Sequence, residues 1–210
     1  MTDIWIPDPT HRRDLRVFCE RALRLDPAAV IRLRRRADGL AGVWVGTGFD
    51  VLAGRVVAAR LEPADFSCGA DVLRAGLVDG QEAGHADPGY SMDSAWRGAL
   101  PPETGFVHVD DVPASVLAEL ARRGADLALE HGGAHGPPAS LLDSEVLQVA
   151  GGGADAAVPL RCVLALTAMG FMLEAADEVV RVRVLPGWLR IDARYGSVFR
   201  RRGDPVLLLR

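Results

Sequence analysis

The sequence contains no lysine and no asparagine, and all 24 of its basic residues are arginine. Each absence removes chemistry. Without lysine there is no P-loop lysine, no Schiff base to a carbonyl or pyridoxal cofactor, and no kinase-type phosphate-pairing lysine. Without asparagine there is no Cys-His-Asn triad and no kinase catalytic-loop magnesium ligand. Both residues need A-rich codons, so their joint absence points to a GC-rich genome rather than to a thermal adaptation. Cysteine is scarce. Cys19, Cys68 and Cys162 stand far apart, form no CxxC pair, and are expected to be buried thiols in a reducing cytoplasm. Long apolar runs are missing too: the longest, Cys162 to Leu173, is too short to span a bilayer. The opening MTDIWIPDPTHRRD has no apolar signal core. A cytoplasmic protein with no membrane partner is the expectation.

What is present is a chain of 210 residues, 49% apolar, long enough for one domain or two small ones. Its net charge of −4 hides a segregation. Residues 1–36 hold nine arginines and five acids, residues 181–210 hold eight and two, and the middle holds seven and twenty-one. Basic ends neutralised by an acidic centre within the fold explain this better than an external polyanion does.

Periodicity predicts an α+β protein with antiparallel sheet and helices packed on one side, built as two helix-plus-meander halves. Residues 1–61 form the first half. Thr10 is placed to cap a helix to Leu25, with Leu15, Phe18, Cys19, Ala22 and Leu25 on one stripe. The segment AVIRLRRR then alternates, and two more strands follow an Ala37-Asp38-Gly39 turn. Residues 62–105 are acidic and rich in Gly and Pro, and are expected to be a loop-rich connector with one helix near Asp71 to Val78 and Trp96 as its anchor in the core. Residues 106–210 form the C-terminal half. A strand at Phe106–Val109 leads to Asp110 and Asp111 at the start of a helix spanning 114–130, whose buried stripe is Val116, Leu117, Leu120, Leu127 and Ala128. VPLRCVLALTAMGFM reads as a buried helix, followed by an arginine-rich hairpin and a final strand or tail at VLLLR. The two helix–strand–turn–strand patterns echo each other weakly.

The motifs that carry chemistry are few. His131 and His135 have HxxxH spacing, but Gly132 and Gly133 stop the helix between them, so no metal is expected there. GYSMD, residues 89–93, approaches a GxSxG elbow without the second glycine, with His85 and Asp87 close enough in sequence to orient one another. GTGFDV follows a strand but lacks the third glycine and the helix a dinucleotide fingerprint needs, so no cofactor is expected. The element order after Ala114 resembles a winged helix. Its recognition helix, however, would be 160–172, where Arg161 is the only charge, and such a helix belongs in a core. The remaining candidate is an arginine face made by Arg181, Arg183, Arg190, Arg194, Arg200 and Arg202, with Asp192 interrupting it and Trp188 of the same parity as Arg190.

At LLDSEV, RCVLALTAMGF and WLRIDARYGSVFRRR the chain resembles a family of conserved but uncharacterised proteins from GC-rich actinobacteria, mainly over residues 90–202. That resemblance implies a bacterial cytoplasmic protein and brings no activity and no catalytic residue. The functional expectation is therefore a non-catalytic interaction or regulatory protein, with an unknown protein partner or self-association. Two alternatives stand beside it. One is a hydrolase-like enzyme with its site in the 84–96 loop or at His131/His135. The other is anion or nucleic-acid binding on the arginine face, although nucleic acid is not the expected partner.

Overall fold

A computed structural model describes residues 2–79, 84–131, 137–173 and 175–203. The chain divides into two units, residues 1–48 with 52–100 and residues 49–51 with 101–210. Among the described residues no helix is long and apolar enough to cross a membrane.

In the first unit the alternation of β2 (Val30–Arg35) fixes the sheet's two sides. Ile31 and Leu33 are fully buried, whereas Arg32 and Arg34 lie on the opposite face. β3 (Ala41–Gly46) and β4 (Leu52–Val57) continue the antiparallel meander. β6 (Asp65–Gly69) adds to the free side of β2. Helices α1 (Pro9–Leu25) and α2 (Ala70–Asp79) pack against each other, and of the stripe its periodicity predicts α1 buries Leu15, Phe18, Cys19 and Ala22, while Leu25 at its last position is half-buried. The α1 cap differs from expectation. Asp8, not Thr10, is the N-cap, accepting from the Thr10 amide at 2.7 Å, because Pro9 takes the first helical position. On the outer sheet face the Trp44 ring lies over Gly42, where a Cβ would overlap it.

Residues 62–105 hold the helix expected near Asp71 to Val78, here the ten-residue α2, and in addition the strand β6, both part of the first unit. Trp96 is half-buried rather than a core anchor: its indole donates to the Gly98 carbonyl at 3.1 Å, and the Arg32 guanidinium lies 6.0 Å from its ring.

In the second unit β11 (Val179–Leu185), β12 (Trp188–Ala193) and β13 (Gly196–Arg201) form the meander, with Val180, Val182, Leu189, Ile191 and Val198 buried on one face. β8 (Val107–Pro113) pairs with β11, so Asp110 and Asp111 lie within a strand and not at a helix start. α3 (Ala114–His131) follows directly. Its buried stripe runs through Ala114, Leu117, Ala121 and Gly124, while Val116 and Leu127 are exposed, which corrects the expected stripe by part of a turn. Gly124 is there because the Leu160 side chain fills the space a Cβ would take. The short α4 (Ala139–Leu142) leads to the hairpin β9 (Glu145–Gly151) and β10 (Ala154–Pro159). Val158 and Pro159 therefore end a strand, and α5 covers only Leu160–Ala168. A Schellman cap stops α5: Gly170 has φ +63°, its amide donates to Thr167 O at 2.9 Å, and the Phe171 amide donates to Leu166 O at 3.0 Å. The expected strand or tail at VLLLR lies outside the described residues.

The two units share one plan. Each has a helix leading into a three-stranded meander, α1 with β2–β4 and α5 with β11–β13. A fourth antiparallel strand joins the first strand of the meander and runs into a second helix, as β6 into α2 and β8 into α3. In the first unit the strand–helix pair follows the meander, and in the second it precedes it.

Candidate functional site

The first unit carries a small second sheet, in which β1 (Asp3–Trp5) lies between β5 (Arg60–Glu62) and β7 (His85–Ala86). Its inner face is core: Ile4, Leu61 and Ala86 are buried. The register puts Trp5 opposite both Arg60 and His85, and Asp3 opposite Glu62, so these polar and aromatic groups gather on the other face. His85 Nε2 lies 2.8 Å from Asp3 Oδ1, and its ring meets Trp5 at 5.3 Å between centroids. The Arg60 guanidinium stacks 3.7 Å from the Trp5 centroid. Sequence proximity had suggested Asp87 as the partner of His85. Strand pairing supplies Asp3 instead, 82 residues away, while Asp87 accepts from the Gly89 amide. Trp5 and Arg60 also line a cleft of about 660 Å³ together with Pro7, Arg35, Leu40 and Glu62.

The GYSMD loop is engaged differently from an elbow. The Ser91 hydroxyl donates to Asp93 Oδ2 at 2.7 Å, Asp93 Oδ1 accepts the Ser67 amide at 2.6 Å, and the Met92 amide donates to Ser67 O at 2.7 Å. The loop thus covers the outer edge of β6 at Ser67. The Ser91 hydrogen bond, assisted by Ser67 and Arg32 and opposed by burial, holds the Asp93 carboxyl below its ordinary range.

In the second unit the registers distribute the predicted arginines. Arg183 is opposite Arg190 and Arg181 is opposite Asp192, so these share the outer face. Leu189 is opposite Arg200 and Trp188 is opposite Arg201, which turns Arg200 to the core face and brings Arg201 outward. The two-residue turn at Arg194-Tyr195 causes this, because it pairs even with odd positions across the hairpin. Arg194 sits in that turn and Arg202 follows the strand. Most of these cations meet the protein's own acids. Asp192 receives Arg190 at 2.7 Å and Arg183 at 3.4 Å, and also a short hydrogen bond from Ser197. Arg194 meets Glu178 at 2.6 Å, and Arg181 reaches Asp111 at 3.9 Å. Arg190 also lies within 5.5 Å of the Phe106 and Phe199 ring centroids.

One constellation was missed at the sequence level. Arg161, 6% exposed, donates to Phe49 O at 2.6 Å and to Asp143 Oδ1 at 3.0 Å, and Arg200 meets the same carboxylate oxygen at 2.6 Å. Burial raises the Asp143 pKa, but the Arg161 and Arg200 guanidiniums outweigh it and hold the carboxyl below its ordinary range. The signal was visible: a single charge in an otherwise apolar helix needs a buried partner. The arrangement ties the segment at residue 49 to α5.

All three cysteines are free and buried. Burial pushes the Cys68 and Cys162 thiols up to about 12, and raises that of Cys19 further. At pH 8 the folded protein is therefore expected to give no rapid reaction with Ellman's reagent and to release three equivalents only in denaturant. One fast equivalent in native buffer would contradict the burial. His135 and the side chain of His131 lie outside the described residues. Among the described residues no group of three His, Cys, Asp or Glu is placed to hold a metal ion.

Comparison with known proteins gives family and fold. The model of a family described as Domain of unknown function (DUF8185) matches residues 101–205, half of the chain, and that of Domain of unknown function (DUF8010) matches residues 1–98. The chain belongs to the DUF8185 family. No curated protein matches it. Among solved structures it is similar to a candidate DNA polymerase III beta subunit from Eubacterium rectale, with TM-score 0.59 and 8% identity over 99% of this chain and 66% of that one. It is also similar to the DNA polymerase sliding clamps of Caulobacter crescentus (0.55, 12%, 98% and 67%) and Bacillus subtilis (0.54, 12%, 100% and 68%). The chain thus spans about two thirds of their length. The fold is α+β and sliding-clamp-like, with two clamp-domain-like halves.

Proposed function

We propose that this member of the DUF8185 family is a non-catalytic interaction protein that self-associates through a clamp-like fold. The observation that carries the reading is the overlay of 98–100% of the chain on sliding clamps. Fold alone does not fix function, and the side-chain chemistry adds support. The groups that looked reactive in the sequence are engaged in the fold: Ser91 and Asp93 at the β6 edge, His85 with Asp3, and Asp87 with the Gly89 amide. Three free thiols fit a reducing cytoplasm. Sedimentation velocity from low to high micromolar protein is expected to show a larger species growing with concentration. A single monomeric species throughout would overturn self-association.

A second reading, nucleic-acid binding, is favoured by the same likeness and by α1, which has five arginines against two acids, with Arg13, Arg16 and Arg24 exposed. Fluorescence anisotropy with single- and double-stranded oligonucleotides at several salt concentrations separates the readings. Under the first, binding is weak and vanishes near physiological salt. Binding that persists there, and is lost when Arg13, Arg16 and Arg24 become glutamine, puts α1 and this reading first. Loss only when Arg181, Arg183, Arg190 and Arg194 become glutamine assigns the role to the C-terminal arginine face.

A further inference from the structure

The cleft of the first unit has features the fold does not use. Its walls are apolar and small, from Pro7, Leu40, Ala58 and Ala59, and two arginines, Arg35 and Arg60, stand at its exposed rim. Among the described residues neither guanidinium is paired with a carboxylate, whereas nearby Arg32 and Arg36 are held by Asp65 and Asp38. Arg60 is fixed by stacking, 3.7 Å from the Trp5 centroid. Stacking uses the face of a guanidinium and leaves its in-plane N–H donors free, the geometry that receives a carboxylate or phosphate edge-on. The volume, about 660 Å³, is that of a small-molecule site. Glu62, also at the rim, would repel a second anionic group on any ligand held there.

We propose that this cleft binds a small organic anion, one carboxylate or phosphate carried on a flat apolar body, with Arg60 and Arg35 receiving the anion and Leu40, Ala58 and Pro7 receiving the body. Trp5 acts as a positioning residue for Arg60. The proposal is independent of self-association, because it concerns one unit of one chain. It is tested by NMR on protein carrying labelled alanine methyl groups, following Ala58 and Ala59. The probes are benzoate and phenyl phosphate, with inorganic phosphate for the bare anion, benzyl alcohol for the neutral body and benzamidine for the cation. Saturable shifts are expected with benzoate or phenyl phosphate, and the stronger of the two tells carboxylate from phosphate. Inorganic phosphate and benzyl alcohol should bind about tenfold more weakly or worse, as should the preferred probe to Arg60→Gln, about the loss of one strong contact. Arg35→Gln should show a smaller loss. Arg60 is exposed, so Arg60→Gln should fold, and an unchanged melting temperature confirms it. If Arg60→Gln unfolds, Arg35→Glu carries the test and should abolish binding of the preferred probe. Equal response to benzyl alcohol or benzamidine, unchanged affinity in the arginine variants, or no saturable shift with either anion would overturn the proposal.

Discussion

Leu166→Ala is expected to cost about 2–5 kcal/mol of unfolding free energy, the usual range for truncating a large core side chain. Leu166 is fully buried on α5, with Cys162, Val163 and Ala165 buried around it and Phe171 closing the helix end. Leu166 has no exposed side from which solvent could fill the space it leaves. Leu164, half-buried on the same helix, is the internal control and should cost clearly less when truncated. The measurement is the urea midpoint of both variants with the slope unchanged. A loss for Leu166→Ala below about 0.5 kcal/mol, the size of a surface substitution, would mean that α5 is not a core helix and would reopen it as a recognition helix.

Arg161→Met should be nearly as damaging, at about 2–3 kcal/mol, although methionine fills most of the space. The change removes a charge-assisted hydrogen bond to Phe49 O and one to Asp143, each of a kind worth about 1.5–3 kcal/mol, offset in part by the desolvation that the buried guanidinium no longer suffers. Asp143 is half exposed and keeps Arg200, so no isolated buried charge is left behind and the loss stays below that of a fully buried pair. The deficit should depend on pH. The folded-state pKa of Asp143 lies below its ordinary value of 3.8, so its pairing contributes stability above that value and loses it as pH falls through the folded-state pKa. The gap between wild type and Arg161→Met is therefore full at pH 7 and narrows in the acid range below 3.8. A gap that stays constant to the lowest pH at which both fold would show that Phe49 O, not Asp143, is the partner that matters.

What the sequence determined by itself is whatever is written in local periodicity. The alternation in 30–35 and 179–185, the amphipathic stripe of α1 and the Pro186-Gly187 turn, with Gly187 at φ +82°, can each be read from a few neighbouring residues, and together they require an antiparallel α+β protein. The buried thiols and the apolar character of α5 follow from composition in the same way. The absence of lysine and asparagine removed whole reaction classes before any folding was considered.

What only the tertiary structure decided depends on register and on distant pairing. Arg200 faces the core and Arg201 the outside because a two-residue turn changes the parity between β12 and β13, and one residue more or less would exchange them. Asp110 and Asp111 suit a helix N-terminus as well as a strand. The ladder with β11 settles them as strand, since pairing with β11 satisfies backbone groups that a helix would have to satisfy internally. His85 finds Asp3 and Arg60 finds Trp5 only because β1 lies between β5 and β7, bringing together residues 55 to 82 positions apart. Such contacts leave no periodic trace in the sequence. They arise where strands meet, and the energy that selects one meeting over another lies in the buried Ile4, Leu61 and Ala86 beneath, not in the polar residues that the meeting exposes.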